Sequence, residues 1–97
     1  DKSICIVLCS KGYPDTYKNN IALNLEKIKL KQHQFLFHAG TKIINNMVVS
    51  NGGRVLNVVT RSSNFISARK ASLKILNDIN WENGFYRKDI AYKVIQE

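Results

Sequence analysis

Acidic side chains are scarce in this sequence, and the few that are present are dispersed along it. Seven carboxylates stand against 15 Lys and Arg residues. No two carboxylates have the spacing of a general acid–base pair or of a Mg²⁺ site, and the Walker A, GxSxG and HExxH patterns are missing. We therefore predict no catalytic residue and no metal site within these 97 residues. The acidic positions are Asp1, Asp15, Glu26, Asp78, Glu82, Asp89 and Glu97.

Cysteines and long apolar runs are equally limited. Cys5 and Cys9 are the two cysteines, and four residues along a strand separate their α-carbons by about 13 Å, beyond the roughly 4.4–6.8 Å that a disulfide requires. We expect two buried, reduced thiols that do not pair with each other. The sequence has no second pair of cysteines, so it does not suggest a zinc site. The apolar run at 4–8 is too short for a signal peptide or a membrane span, so the sequence predicts a soluble, cytoplasmic chain.

The positive charge is spread along the chain. The formal net charge is +8 and the pI is about 9.7. Such a charge favours binding to nucleic acid when the Lys and Arg side chains cluster, because their contacts with phosphates release counterions. Here Lys, Asn and Ile each occur eleven times and Arg four times, as an A/T-rich coding background would produce. A small basic nucleic-acid-binding module stays open as an alternative, with Tyr13, Phe35 or Tyr86 stacking on bases, although no RNP, KH or C₂H₂ pattern supports it.

Apolar and β-branched residues recur in short runs that predict an antiparallel sheet. Hydrophobic residues make up 44% of the chain, enough for one modest core, so we expect a single domain over residues 1–97. The weakly periodic stretch 16–30 is predicted to be loop with one short strand. The last three strands follow one another through tight turns and are expected to form a three-stranded meander. The predicted strands are 3–10, 34–44, 47–50 and 54–60.

The period of the apolar pattern changes after residue 62, where one helix is predicted near 64–79. A Ser/Asn-rich start can cap its first amides, and apolar positions then recur every three or four residues along one stripe. A small antiparallel sheet with one main helix places the chain in the α+β class. The stripe comprises Phe65, Ala68, Ser72, Ile75, Leu76 and Ile79.

Two glycine-containing turns carry the features most suited to binding an anion. HAGTK at 38–42 and NGGR at 51–54 each place glycine beside a cation. Bare backbone N–H groups and the heads of Lys42 and Arg54 could therefore converge on one phosphate. Two ordinary hairpin turns with exposed cations would give the same pattern, and from the residues alone both interpretations stay open.

Four motifs in series give the chain a resemblance to a known family. They are GYP at 12–14, HAGTK at 38–42, NGGRVL at 51–56 and FYRKDI at 85–90. In this order and at this spacing they are similar to the C-terminal domain of phosphoribosylamine–glycine ligases, also called glycinamide ribonucleotide synthetases. The resemblance covers essentially the whole chain and implies the last domain of an ATP-grasp enzyme.

The resemblance implies a part in a longer enzyme of purine biosynthesis. Ligases of this family use ATP and Mg²⁺ to phosphorylate the carboxylate of glycine. The amine of 5-phosphoribosylamine then attacks the acyl phosphate to give glycinamide ribonucleotide, ADP and phosphate. The ATP-clasping lysines and metal-binding acids of the family lie in the preceding ATP-grasp domain. We therefore expect the 97 residues alone to be inactive and to bind no cofactor, and we expect no membrane or nucleic-acid partner.

The task that the resemblance implies for this domain is to close over the site and to hold the phosphate of phosphoribosylamine. By likeness to related purine-pathway ATP-grasp enzymes, Lys42 corresponds to a turn lysine and Arg54 to a strand arginine that contact a ribose 5-phosphate. Arginine suits bidentate phosphate contact, and binding energy from a remote dianion can position the reacting amine. The remaining candidates are Asn51, Gly52 and Gly53 at the phosphate, and Gly12, Tyr13, His38 and Thr41 as site-lining residues.

Overall fold

Six strands and one helix form the part of the chain that the computed structural model describes, residues 2–87. The combination of small antiparallel sheets with one main helix confirms the predicted α+β class. The end of the FYRKDI motif, at 88–90, lies outside the described residues. In chain order the elements are β1 (Lys2–Ser10), β2 (Gln34–His38), β3 (Thr41–Ile44), β4 (Met47–Ser50), β5 (Arg54–Ser62), α1 (Phe65–Ile79) and β6 (Gly84–Phe85).

Strands β1 and β5 form the centre of a four-stranded antiparallel sheet with the order β2-β5-β1-β6. Their register pairs Ile6 with Val58, and both side chains are buried. Aliphatic residues at alternate positions suit such a half-buried, pleated surface. A bulge after Leu8 shifts the register so that Cys9 lies opposite Arg54. Arg54 therefore stands at the first position of β5, at the end of the central strand pair.

The pairing of the middle strands differs from the predicted meander. The segment 34–44 is two strands, because the chain bends at Ala39 and Gly40. Strand β2 pairs with β5, whereas β3 and β4 form a separate two-stranded sheet. The N–H groups of Ala39 and Gly40 both donate to the Val55 carbonyl oxygen, at 3.0 and 3.1 Å. These two hydrogen bonds fix the bend, and the bend diverts β3 away from the larger sheet.

Helix α1 covers one face of the larger sheet, as its apolar stripe predicts. Asn64 caps the N-terminus by accepting a hydrogen bond from the Ser67 N–H at 2.8 Å, and Asn80 ends the helix in the left-handed conformation. The predicted helix near 64–79 is thus confirmed. No helix within residues 2–87 has both the length and the apolar character needed to cross a membrane. The residues that α1 buries are Ala68, Ser72, Ile75, Leu76 and Ile79.

The alternation of β1 decides where the two thiols lie. Ile4 and Ile6 point towards α1 and are buried, so the odd-numbered residues of the strand face the opposite side of the sheet. Cys5 is exposed there and Cys9 is half-buried. Both thiols are free, which confirms that they do not pair with each other. The expectation that both are buried is wrong, because α1 covers only the even-numbered face of the strand.

The segment between β1 and β2, residues 11–33, is a loop that packs across the molecule. The short strand predicted within 16–30 is reduced to a single bridge between Ala22 and Val49. The indole N–H of Trp81 donates to the Ala22 carbonyl oxygen at 3.0 Å. The loop is thereby tied both to β4 and to the segment that follows α1.

Candidate functional site

The two glycine-containing turns lie against each other. The Asn51 N–H donates to the Gly40 carbonyl oxygen at 2.8 Å. A Cβ added to Gly40 would overlap the carbonyl oxygen of Arg54, so this close approach of two backbones requires glycine. The fold therefore joins HAGTK and NGGR at their backbones.

Two amides of the second turn are engaged inside the protein. The Asn51 N–H is bonded to Gly40, and the Gly52 N–H donates to the side-chain oxygen of Asn19 at 2.9 Å. Neither amide is one of the bare donors considered for a phosphate. Within this turn, Asn51 and Gly52 therefore use their amides to hold the turn in shape.

Ser10, the last residue of β1, fixes the same turn from the other side. Its hydroxyl donates to the Gly52 carbonyl oxygen at 2.9 Å, and its N–H donates to the Gly53 carbonyl oxygen at 2.7 Å. Its side chain is fully buried. Together these bonds make a rigid base immediately before Arg54.

Arg54 projects from this base over the ring of Tyr13. Its Nε–H donates to Tyr13 Oη at 3.2 Å, and the guanidinium carbon lies 6.0 Å from the ring centre, within the range of a cation–π contact. A Cβ added to Gly53 would overlap the same ring, so glycine at 53 is what lets Tyr13 reach the arginine. The result is an exposed guanidinium on a defined support, suited to charge-assisted contact with an anion.

Gly12 shapes the turn that carries Tyr13. Its φ is 97°, a conformation that residues with a side chain rarely adopt, and an added Cβ would overlap the Thr16 carbonyl oxygen. The Asp15 N–H donates to the Gly12 carbonyl oxygen at 2.7 Å, and the Tyr13 N–H donates to the Ser10 carbonyl oxygen at 3.1 Å. Gly12 thus acts through the backbone, as part of the support of Tyr13.

The charge of Arg54 influences the pKa of the Cys9 thiol. Burial of the Cys9 thiol raises its pKa above the ordinary value, and the positive charge of Arg54 opposes this rise by a smaller amount. The register of β1 and β5 places the two residues opposite each other. A raised pKa keeps the thiol protonated near neutral pH, so Cys9 is not an activated nucleophile.

Lys42 has different neighbours from Arg54. It is exposed in β3 and borders a cleft of about 490 Å³ together with His38 and Thr41. His38 Nδ1 lies 2.8 Å from Thr41 Oγ1, within hydrogen-bonding distance. The structure therefore divides the sequence-predicted residues into two groups around the joined turns. Lys42, His38 and Thr41 form one group, and Arg54 with Tyr13 forms the other.

An apolar cleft of about 360 Å³ borders Tyr13 on the sheet face opposite α1. Within residues 2–87, no group of three or more His, Cys, Asp or Glu side chains could hold a metal ion. Tyr13 therefore borders both the exposed guanidinium of Arg54 and an apolar surface. Among the residues lining the cleft are Cys5, Cys9, Tyr13, Pro14, Phe85 and Tyr86.

Sequence reasoning missed Ser10 and Asn19, the two side chains that hold the NGGR turn. Ser10 lies 42 residues from Gly52, and Asn19 lies 33 residues from it. Neither belongs to a motif with a fixed local spacing. Only the pairing of β1 with β5 could have indicated Ser10, because that pairing sets the end of β1 beside the start of β5.

Comparison with known proteins confirms the resemblance drawn from the four motifs. The family model for the C domain of phosphoribosylglycinamide synthetase matches residues 3–93. Phosphoribosylamine–glycine ligase of Leptospira interrogans is 39% identical over 93 residues, which are 96% of this chain and 22% of the relative. The ligase of Caldanaerobacter subterraneus is 36% identical over 91 residues, covering 93% of this chain and 21% of the relative.

The fold agrees with a solved structure of the same kind of enzyme. The crystal structure of phosphoribosylamine–glycine ligase from Thermotoga maritima matches with a TM-score of 0.75 and 26% sequence identity, over 90% of this chain and 21% of that chain. The chain thus spans about a fifth of the length of the proteins it matches. On the match across residues 3–93, the chain belongs to the phosphoribosylglycinamide synthetase C-domain family.

Proposed function

We propose that the chain is the substrate-phosphate-binding, site-closing domain of a phosphoribosylamine–glycine ligase. The observation that carries the proposal is the family match over residues 3–93. The relatives that align along nearly the whole chain are ligases of this name. Because the chain makes up about a fifth of their length, the proposed activity belongs to a longer protein in which residues 1–97 form one domain.

The proposed reaction joins glycine to 5-phosphoribosylamine in purine biosynthesis. The γ-phosphate of ATP is transferred to the glycine carboxylate, and ADP leaves. The amine of 5-phosphoribosylamine then attacks the acyl carbon, an amide bond forms, and phosphate departs to leave glycinamide ribonucleotide. By likeness to the family, we assign ATP and Mg²⁺ to the preceding ATP-grasp domain. The 97 residues alone are accordingly expected to be inactive.

Arg54 is the side chain we propose as the main contact with the phosphate of phosphoribosylamine. Its head is exposed, and its backbone is fixed by the bonds that Ser10 makes to the preceding turn. A guanidinium can meet two phosphate oxygens at once. Because this phosphate does not react, the energy of holding it can be used to orient the amine in the domain that carries ATP.

Lys42 is the second cation of the proposal and belongs to a different part of the site. It shares its cleft with His38 and Thr41, which are within hydrogen-bonding distance of each other. These three residues are proposed to line the substrate site from the β3–β4 sheet. Asn51, Gly52 and Gly53 are proposed to contribute through the shape of their turn.

The test is a kinetic comparison in the full-length ligase that contains this chain. Arg54→Ala should raise KM for phosphoribosylamine, because losing a charged hydrogen-bonding partner costs about 1.5–3 kcal/mol, or roughly 10- to 150-fold in binding. The KM values for glycine and ATP should change much less. Arg61→Ala is the matched control, since Arg61 is also an exposed arginine of β5 but lies near its other end.

Two outcomes would count against the proposal. A full-length protein with no glycine-dependent formation of ADP in the presence of phosphoribosylamine would refute the activity. A value of kcat/KM for phosphoribosylamine within twofold of the parent in Arg54→Ala would refute the assigned role of Arg54, even if the activity itself is present.

The alternative of a nucleic-acid-binding module is not favoured by the comparisons, which identify a ligase domain along the whole chain. We also propose a cytoplasmic location for the ligase. The free thiols of Cys5 and Cys9 are in keeping with a reducing compartment.

A further inference from the structure

Tyr13 contacts Arg54 through both its hydroxyl group and its aromatic ring, although the two residues are 41 positions apart in the chain. Its hydroxyl oxygen accepts the Nε–H of Arg54 at 3.2 Å, and its ring lies under the guanidinium with the carbon 6.0 Å from the ring centre. The arginine is otherwise exposed. A long side chain at the surface would sample many rotamers, and these two contacts select one orientation of its head.

The hydrogen bond also decides which edge of the guanidinium is presented to a ligand. Arginine carries five N–H donors, one on Nε and two on each terminal nitrogen. Since Nε–H of Arg54 is directed at Tyr13, the edge formed by Nη1 and Nη2 is the one directed away from the phenol. Two parallel N–H groups on that edge match two oxygens of a phosphate.

Tyr13 is itself held from three sides. Its N–H donates to the Ser10 carbonyl oxygen at 3.1 Å. Its ring meets the ring of Tyr17 edge-to-face, with centroids 6.1 Å apart at 61°. Its other neighbour is Gly53, where any side chain would overlap the ring. A support fixed in this way can transmit its own position to Arg54.

We infer that Tyr13 is the positioning residue for Arg54, and that it turns the Nη1/Nη2 edge of the guanidinium towards the phosphate of the substrate. The inference rests on the proposed function and deepens it. In the inferred role, Tyr13 acts on the substrate through Arg54. It reduces the entropy that Arg54 loses on binding and fixes the direction of its donors.

The first test is Tyr13→Phe in the full-length ligase, which keeps the ring and removes only the hydroxyl. KM for phosphoribosylamine should rise about 2- to 10-fold, the range of one hydrogen bond, with kcat and the KM values for glycine and ATP unchanged within twofold. Tyr17→Phe is the matched control, because it removes a hydroxyl from the neighbouring tyrosine without touching Arg54.

A double-mutant cycle shows whether Tyr13 acts through Arg54. In the Arg54→Ala background, Tyr13→Phe should have no further effect on KM for phosphoribosylamine. An equal rise in both backgrounds would overturn the inference, because Tyr13 would then act independently. If Arg54→Ala raises KM and Tyr13→Phe does not, positioning by Tyr13 is rejected while the proposed function stands. If Arg54→Ala itself has no effect, the assigned role of Arg54 is refuted and the inference about Tyr13 falls with it, whether or not the ligase activity is present.

Gly53→Ala gives an independent perturbation of the same contact. The added methyl group would displace the Tyr13 ring while leaving both interacting side chains chemically intact. We expect weaker binding of glycinamide ribonucleotide, measured by calorimetry on the full-length protein, by at least the factor seen for Tyr13→Phe. The melting temperature is measured in parallel, and a folded Gly53→Ala protein with parental affinity would contradict the inference.

Discussion

The Ser72 hydroxyl donates to the Thr60 hydroxyl oxygen at 2.7 Å, and this bond joins α1 to β5 in the core. Both side chains are buried. A buried hydroxyl is tolerated only when it is hydrogen-bonded. The pair therefore fixes the helix on the sheet that carries Arg54 at its end.

Removal of one partner of this pair should destabilise the chain. Ser72→Ala leaves the Thr60 hydroxyl without this donor, and we expect the free energy of unfolding to fall by about 1–3 kcal/mol. Ser67→Ala is the control, since Ser67 is exposed on the same helix. Urea denaturation followed by circular dichroism measures the difference. The double variant Ser72→Ala/Thr60→Val should recover part of the loss, and a purely additive loss would show that the bond does not couple the two elements.

The turn between β3 and β4 should require residues that tolerate the left-handed backbone conformation. Asn45 and Asn46 have φ values of 50° and 63°, which asparagine tolerates better than β-branched residues. Asn46→Val should therefore lower the free energy of unfolding by about 1–2 kcal/mol, whereas Asn46→Gly should be neutral or stabilising. Urea denaturation of the two variants gives the comparison. Equal stability of the Val and Gly variants would mean that the turn does not depend on its left-handed residues.

Local spacing explains what could be predicted from the sequence. The apolar stripe of α1 depends on residues three or four apart, and the turn between β3 and β4 depends on the adjacent residues Asn45 and Asn46. Both features could therefore be recognised without knowledge of the rest of the fold. The bend at Ala39 and Gly40 could not be predicted from local spacing. It depends on two hydrogen bonds to Val55, whose position is set by a strand that comes later in the chain.

The same distinction applies to the site. Glycine beside a cation marked both turns in the sequence, and the structure joins them at Gly40 and Asn51. The contact of Arg54 with Tyr13 spans 41 residues and has no local signature. The division of Lys42 and Arg54 into separate groups follows from β3 leaving the larger sheet, which the predicted meander did not include.

The division of the cations predicts unequal kinetic effects in the full-length ligase. Lys42 has no part in the Tyr13 support and borders a cleft with His38 and Thr41. Lys42→Ala should raise KM for phosphoribosylamine less than Arg54→Ala, because a flexible ammonium group makes single contacts where an oriented guanidinium makes two. Combined in one protein, the two changes should be nearly additive in free energy. Strong non-additivity would show that both cations share one support.

Cys9 offers a chemical reporter of where Arg54 lies, independent of any substrate. Burial raises the pKa of the Cys9 thiol, and Arg54 opposes this effect. Removing the positive charge in Arg54→Ala should therefore raise the pKa further. The rate of alkylation by iodoacetamide depends on the thiolate, so its pH profile at Cys9 should shift to higher pH in the variant. Lys42→Ala is the control, because Lys42 lies in the other group of cations.

The raised pKa of Cys9 also determines how this thiol contributes to the stability of the fold as pH changes. Its pKa in the folded protein is above that of the unfolded chain, so the unfolded state releases the proton first as pH rises. The contribution of the neutral thiol is therefore complete below the unfolded pKa and is lost as pH rises through the folded pKa. Cys9→Ser should flatten this alkaline loss in urea denaturation measured across the pH range. An alkylation profile of Cys9 that is identical in Arg54→Ala and in the parent would show that the guanidinium does not lie beside the thiol.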